Sequence, residues 1–269
     1  MKREYFSRGC ILAMKHGSDG NWTGPAAFMP QHMPLQFLQP PGEHEVHLWY
    51  LHLGMLGGSL RHALAGDAAR DEAAALSPGQ LRFIRRFYLR LLLGAYLGIP
   101  GKDVVVNRSN RGKPVLDSSV HDSTLKFSMA KSEDRLLIGI SAFYHLGVDL
   151  EPAWRKARNA LCLAHRYFSP AEFSALEALP PGRLDEAFLR AWALNEAVVK
   201  ASGLGIANQL CRFTLQMDPD LPPAMLHIED DQAASWWLAL VKPCAGFIGA
   251  VASRQARCEI TCFQLLPAK

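Results

Sequence analysis

Two stretches of this 269-residue chain hold residues whose types and spacing suit chemistry. In Gly147-Val148-Asp149-Leu150-Glu151 two carboxylates stand two residues apart at the end of an apolar run, so on a strand they share one face. In Trp192-Ala193-Leu194-Asn195-Glu196-Ala197-Val198-Val199-Lys200, the residues Trp192, Glu196 and Lys200 recur every four, so on a helix they share one face, with Asn195 beside them. Each stretch also has a plain reading. The first is the alternation of a half-exposed strand, and the second is a surface ion pair worth about 0.3 kcal/mol. If the helix packs beside the strand, three carboxylates and an ammonium group converge. A hard cation takes a few carboxylates and fills its octahedron with water and phosphate oxygens, so the set suits magnesium and a phosphate-bearing substrate.

The elements that must position these groups follow one grammar twice. Residues 45–53 are dense in apolar and aromatic side chains and predict a buried strand where structure begins. Ser77, Pro78 and Gln80 give the N-cap, first-turn proline and capping box of a long helix. Ile84, Tyr88, Leu91, Leu92 and Ala95 form its apolar stripe, Arg82, Arg86 and Arg90 recur on another face beside Arg85, and Gly98 and Pro100 stop it. Short strands are predicted at 104–106, 124–129 and 136–141, with the Arg111-Gly112-Lys113-Pro114 loop between the first two. After Glu151, Ser169, Pro170 and Glu172 repeat the capping signature, a helix is predicted over 184–201 with Gly203 and Gly205 ending it, and strands follow at 213–217, 235–241, 247–253 and 259–266.

Each half thus reads as strand, long helix, short strands. This predicts an α+β fold of two similar lobes related by a pseudo-twofold axis, each a long helix on a small antiparallel sheet. Residues 1–43, rich in Gly, Pro, Gln and Met and without a period of 2 or 3.6, are assigned to an N-terminal extension, residues 44–150 to one lobe and 151–269 to the other. The carboxylates then fall where one lobe hands over to the next, a favoured place for a ligand cleft.

An apolar content of 49% with 20% charged residues is that of a globular protein, and a net charge of +4 suits an acidic ligand or partner without the signature of a nucleic-acid binder. The apolar stretch 10–14 is too short to span a bilayer, so the expectation is a cytoplasmic protein with no membrane and no nucleic-acid partner. Six scattered cysteines without a C-x-x-C pair read as reduced thiols, with Cys258 and Cys262 packed in the core.

Taken together, the motifs resemble the Sfp-type 4′-phosphopantetheinyl transferases. Residues 147–151 look like their G-I/V-D-I/V/L-E motif, residues 192–200 like W-S/T-x-K-E-A/S-x-x-K, Arg111-Gly112-Lys113-Pro114 like the early G-K-P loop, and Phe127-Ser128-Met129-Ala130-Lys131-Ser132 like F-N-x-S-H-S. The motifs keep the family's order over roughly residues 46–253. The resemblance implies an enzyme, a holo-[acyl-carrier-protein] synthase that binds coenzyme A and magnesium, moves the phosphopantetheine arm to a serine of an acidic acyl or peptidyl carrier protein, and releases adenosine 3′,5′-bisphosphate. It implies magnesium on Asp149, Glu196 and Glu151, with Glu196, Lys200 and Asp149 as the catalytic set. Arg111, Gly112, Lys113 and Pro114 would follow the nucleotide, Lys131 and Ser132 the 3′-phosphate, with help from Arg82 or Arg86, and Lys200 the pyrophosphate. A two-lobed chain of this kind is expected to be a monomer.

Two positions depart from the pattern. The family's histidine in S-H-S is Lys131, and its lysine before the helix glutamate is Asn195; Ser128 and Ala130 also replace an Asn and a Ser. Lys131 keeps a cation for phosphate, whereas Asn195 removes one. Two expectations follow: an active transferase with a retuned phosphate shell, or a member that binds coenzyme A or a carrier protein without transfer.

Overall fold

Two sheets packed face to face, each covered on its outer side by one long helix, form the layers of the molecule. The computed structural model describes residues 27–65, 76–156, 159–203 and 210–268; the stretch around Cys10 and the second glycine of the helix stop, Gly205, lie outside the described residues. The first sheet has the order β1 (Met29–His32), β12 (Glu259–Leu266), β2 (Glu45–His52), β6 (Arg135–Ser141) and β5 (Lys126–Ser132). The second has the order β10 (Trp237–Val241), β11 (Phe247–Ser253) and β7 (Leu146–Pro152).

Alternation along the strands builds the layers. In β2, Trp49 and Leu51 face helix α2 (Pro78–Leu97), where they meet Ile84, Tyr88 and Leu92, while Val46 and Leu48 face the other sheet. In β7, Val148 and Leu150 join that inter-sheet core with Trp237 and Val251. Ala250 and Ala252 of β11 turn the other way, under helix α5 (Pro181–Ser202). The predicted α+β architecture of two lobes, each a long helix on a small sheet, is therefore present.

The capping signatures hold in detail. Ser77 Oγ accepts from Gln80 N at 3.3 Å and Gln80 Oε1 accepts from Ser77 N at 2.8 Å, and Gly98 ends α2 at φ 68°. Ser169 and Glu172 form the same box at the start of α4 (Pro170–Glu177), and Gly203 closes α5 at φ 68°.

Other elements differ from the sequence expectation. Structure begins before residue 45, with β1, a short edge strand that exists through its parallel pairing with β12. The strand β12 also runs parallel to β2, so the last strand of the chain returns to the first sheet, and the antiparallel expectation holds only for β2–β6–β5 and β10–β11–β7. Helix α1 (Leu53–Ala65) was not foreseen because three glycines weaken its propensity; Gly57 packs so close to α2 that an added Cβ would meet Ile84 Cδ1 at 2.4 Å. Helix α3 (Ala160–Tyr167) was likewise unforeseen. The first short strand, β3 (Val106–Arg108), starts two residues late and pairs with β4 (Pro114–Leu116), and a small hairpin of β8 (Phe213–Leu215) and β9 (Met225–Ile228) flanks α4. In α2, Leu91 and Ala95 are only half-buried, while Leu89, Leu93 and Tyr96 complete the buried stripe. No helix among the described residues is long and apolar enough to cross a membrane. The described cysteines are free thiols, and burial pushes Cys258 and Cys262 up to about 12 each.

Candidate active site

All seven residues of β7 are buried, which removes the plain reading of a half-exposed strand. Gly147, Asp149 and Glu151 share the face turned toward α5. At Gly147 helix and strand touch: an added Cβ would lie 1.9 Å from Ala197 O and 2.5 Å from Ala201 N. The motif glycine is there because only a residue without a side chain admits α5 at that distance.

This contact delivers the helix side chains to the carboxylates. Lys200 Nζ lies 2.6 Å from Asp149 Oδ1, and Glu196, one turn earlier, stands beside the same group. Asp149, Glu151 and Glu196 are all buried, so the surface-pair reading of Glu196 with Lys200 also fails. Asp149 Oδ2 is buried without a hydrogen-bond partner among the described residues. The Glu196 carboxyl takes part in no hydrogen bond or ion pair among the described residues. Burial raises its pKa, Lys200 opposes the rise, and the charges of Asp149 and Glu151 add to it. Burial and then Asp149 raise that of Glu151, against Arg155, whose Nη1 lies 2.8 Å from Glu151 Oε2.

Among the described residues, no group of three His, Cys, Asp or Glu side chains is drawn close enough to hold a metal ion. The donor chemistry nevertheless fits a hard cation: an orphaned buried carboxylate oxygen, with two further carboxylates near enough to feel its charge.

Lys113 joins the two lobes at the other end of β7. Its Nζ donates to Leu146 O at 2.9 Å and to Lys200 O at 2.5 Å, tying the β3–β4 turn to the start of β7 and the last turn of α5. Burial, then the charge of Lys200, brings its pKa down to about 8. A cavity of about 200 Å³ opens beside it, with Ser109, Lys126, His145 and Gly203 in its wall. Gly112, at φ 84°, makes the turn that aims Lys113 inward, Arg111 is exposed on that turn, and Pro114 pairs with Arg108.

The remaining expected contacts stand apart from this cluster. Lys131 is exposed and Ser132 half-buried at the far end of β5 from Lys126. Arg82 and Arg86 are exposed on α2. No hydrogen bond or ion pair links Arg82, Arg86, Arg111, Lys131 or Ser132 to the carboxylates among the described residues. It is Arg85 that turns inward: its Nε is buried without a partner among the described residues, and burial, with the charges of Arg82, Arg108 and Arg86, lowers its pKa.

Asn195 corrects the sequence reading. It is wholly buried and does not belong to the phosphate shell; Nδ2 donates to Glu172 Oε1 at 3.3 Å and to Ala191 O at 3.0 Å. One residue along a helix is a rotation of about 100°, enough to turn Asn195 toward α4 while Glu196 faces the carboxylates. Three contacts near the site are not legible in the sequence. Arg155 follows a strand and a turn, where spacing predicts no partner. Ser128 Oγ accepts from Val148 N at 3.2 Å, a contact between sheets. Glu172 was legible as a capping residue but not as Asn195's partner.

Comparison with known proteins gives the family. The profile of the 4′-phosphopantetheinyl transferase superfamily matches residues 145–253, which include both motifs around Asp149 and Glu196. The chain is 31% identical over 222 residues to the 4′-phosphopantetheinyl transferase HetI of Nostoc sp., covering 77% of this chain and 87% of that protein. It is 25% identical to the 4′-phosphopantetheinyl transferase psf-1 of Bacillus pumilus, over 62% of this chain and 68% of that one. It is 27% identical to the human L-aminoadipate-semialdehyde dehydrogenase-phosphopantetheinyl transferase, over 56% of this chain and 49% of that one. With its motifs in order and a relative matched over most of its length, the chain belongs to the 4′-phosphopantetheinyl transferase superfamily.

Proposed function

We propose that the buried Asp149–Lys200 cluster is the centre at which this transferase moves the 4′-phosphopantetheine arm of coenzyme A to a serine of an acyl or peptidyl carrier protein. The observation that carries the reading is the 2.6 Å contact of Lys200 with Asp149, beside a carboxylate oxygen orphaned among the described residues and the buried Glu196. In the reaction the serine Oγ attacks the phosphorus that carries the arm. The Oγ–P bond forms as the P–O bond to adenosine 3′,5′-bisphosphate breaks, and negative charge grows on the departing phosphate. Lys200 supplies an ammonium group to those oxygens from the edge of the carboxylate cluster. Glu196, made more basic by burial, takes the serine proton.

Asp149 and Glu196, with Glu151 directly or through water, are the residues that would hold magnesium, whose chemistry when bound is to neutralise charge on the pyrophosphate. Arg111, Gly112, Lys113 and Pro114 are assigned to the nucleotide, and Lys131 and Ser132, with Arg82 or Arg86, to its 3′-phosphate. The same reading puts the hand-over between the lobes at β7, with β1 and β12 in the sheet of the first lobe, and takes the protein as a cytoplasmic monomer whose acceptor is acidic. The second expectation, binding without transfer, has no observation in its favour, since Asn195 is a core residue.

The test incubates the chain with coenzyme A, magnesium and apo carrier proteins and weighs the carriers. A carrier should gain the mass of one phosphopantetheine arm. No gain on any carrier, with coenzyme A binding retained, overturns the transferase reading.

A further inference from the structure

A second cavity, of about 740 Å³, opens beyond the carboxylate end of β7, with Trp154, Arg155, Lys156, Leu189, Lys242 and Phe247 in its wall. Arg155 of its wall reaches the carboxylate Glu151 at 2.8 Å. Glu186, Leu189, Ala193, Glu196 and Lys200 follow one face of α5 at helical spacing, and Ile248 of the cavity wall is the register partner of Glu151. The wall mixes three cations with Asp185 and Glu186, and Glu186 is drawn toward Arg190 at 3.9 Å. Trp154, more than half exposed, adds an apolar face that an incoming protein would cover.

Arg155 belongs to both places. Its side chain is 62% exposed at the cavity, whereas Glu151, which it grips at 2.8 Å, is 11% exposed. While that pair holds, Arg155 balances the charge of Glu151. A pair with one partner in solvent exchanges easily.

We infer that Arg155 is a latch between this cavity and the carboxylate site: an acidic acceptor that engages Arg155 at the cavity mouth releases Glu151 to Asp149 and Glu196. The inference rests on the proposed function, because the released carboxylate matters only if the cluster holds a cation. Arg155 is a positioning residue in this account and touches no reacting atom. The acceptor is assigned as acidic because Arg155, Lys156 and Lys242 line the mouth.

The test measures Mn²⁺ binding by the full chain, without coenzyme A, by the electron paramagnetic resonance signal of the free ion. Arg155→Met should bind Mn²⁺ about 3- to 10-fold more tightly than the wild type, since the site gains an uncompensated carboxylate, and Arg155→Lys should return to the wild-type value. An apo carrier protein should tighten Mn²⁺ binding by the wild type and leave Arg155→Met unchanged. Equal or weaker binding by a folded Arg155→Met, with measurable wild-type binding, overturns the latch and leaves the proposed function standing. If the wild type binds no Mn²⁺ even with coenzyme A present, the metal part of the proposed function falls and the latch with it.

Discussion

Asn195 donates its Nδ2 to Glu172 Oε1 at 3.3 Å inside the second lobe, and neither side chain reaches solvent. Glu172 also accepts from Leu215 N at 3.0 Å and from Ser169 N at 3.0 Å, so one carboxylate ties α4, α5 and β8 together. Asn195 is thus a neutral donor to a buried acid.

That arrangement makes stability depend on pH. Burial pushes the Glu172 carboxyl up to about 7 against its hydrogen bonds, from a usual value of 4.5. Below pH 4.5 folded and unfolded chains both hold the proton. Between 4.5 and about 7 the folded chain holds a proton that the unfolded chain has lost, so stability falls as pH rises through this window. Glu172→Gln should remove this component, which is on the order of 3 kcal/mol. Urea unfolding at pH 5 and pH 7.5 checks it: the variant's stability should change less between the two.

Asn195→Lys should act on this pH dependence and not on the substrate. The new ammonium group would favour ionised Glu172 and weaken or reverse the loss between pH 5 and 7.5, while coenzyme A affinity should stay within about twofold of the wild type, the scatter of a distant site. Isothermal titration with coenzyme A beside urea unfolding separates the two. A large gain in affinity would return position 195 to the phosphate shell.

Asp149→Ala and Lys200→Met each remove one side of the 2.6 Å pair. Transfer should fall by about 100-fold or more in either, the scale of losing one preorganised charged contact in a reaction centre. Because the Glu196 carboxyl is raised above its usual range, wild-type activity should decline on acidification at a pH above that of an ordinary glutamate. Steady-state transfer rates at several pH values, with circular dichroism to confirm folding, provide both readouts.

Gly147→Ala should be among the most damaging small substitutions in the chain. Its methyl group would stand 1.9 Å from Ala197 O, and neither β7 nor α5 can retreat without opening a buried layer. A loss of at least about 3 kcal/mol is expected in denaturant unfolding. Ala at Gly182, exposed in the first turn of α5 with nothing within 4 Å of the added Cβ, is the matched control.

Lys113→Met should loosen the join between the lobes, since two backbone carbonyls, of Leu146 and Lys200, lose their donor. Amide exchange in the last turn of α5 should accelerate by about tenfold, the effect of losing roughly 1.4 kcal/mol of local protection. Hydrogen–deuterium exchange of the peptide that contains Lys200 measures it.

Sequence by itself determined the local features. Capping boxes at Ser77 and Ser169, glycine stops at Gly98 and Gly203, and the periods that set Asp149 with Glu151 and Glu196 with Lys200 depend on a few neighbouring residues. Each reads the same in the chain and in the fold. Motif order likewise carried the family. Tertiary structure alone decided which faces those side chains meet. Strand β12 finds β2 across some two hundred residues, a pairing that leaves no local signature. Asp149 and Glu151 looked like the wet side of a strand until α5 covered them, and Asn195 looked like a lost phosphate ligand until its rotation placed it on Glu172. The physical reason is the same in each case: a residue's period says which neighbours share its face, while burial and charge are set by whatever element packs on that face.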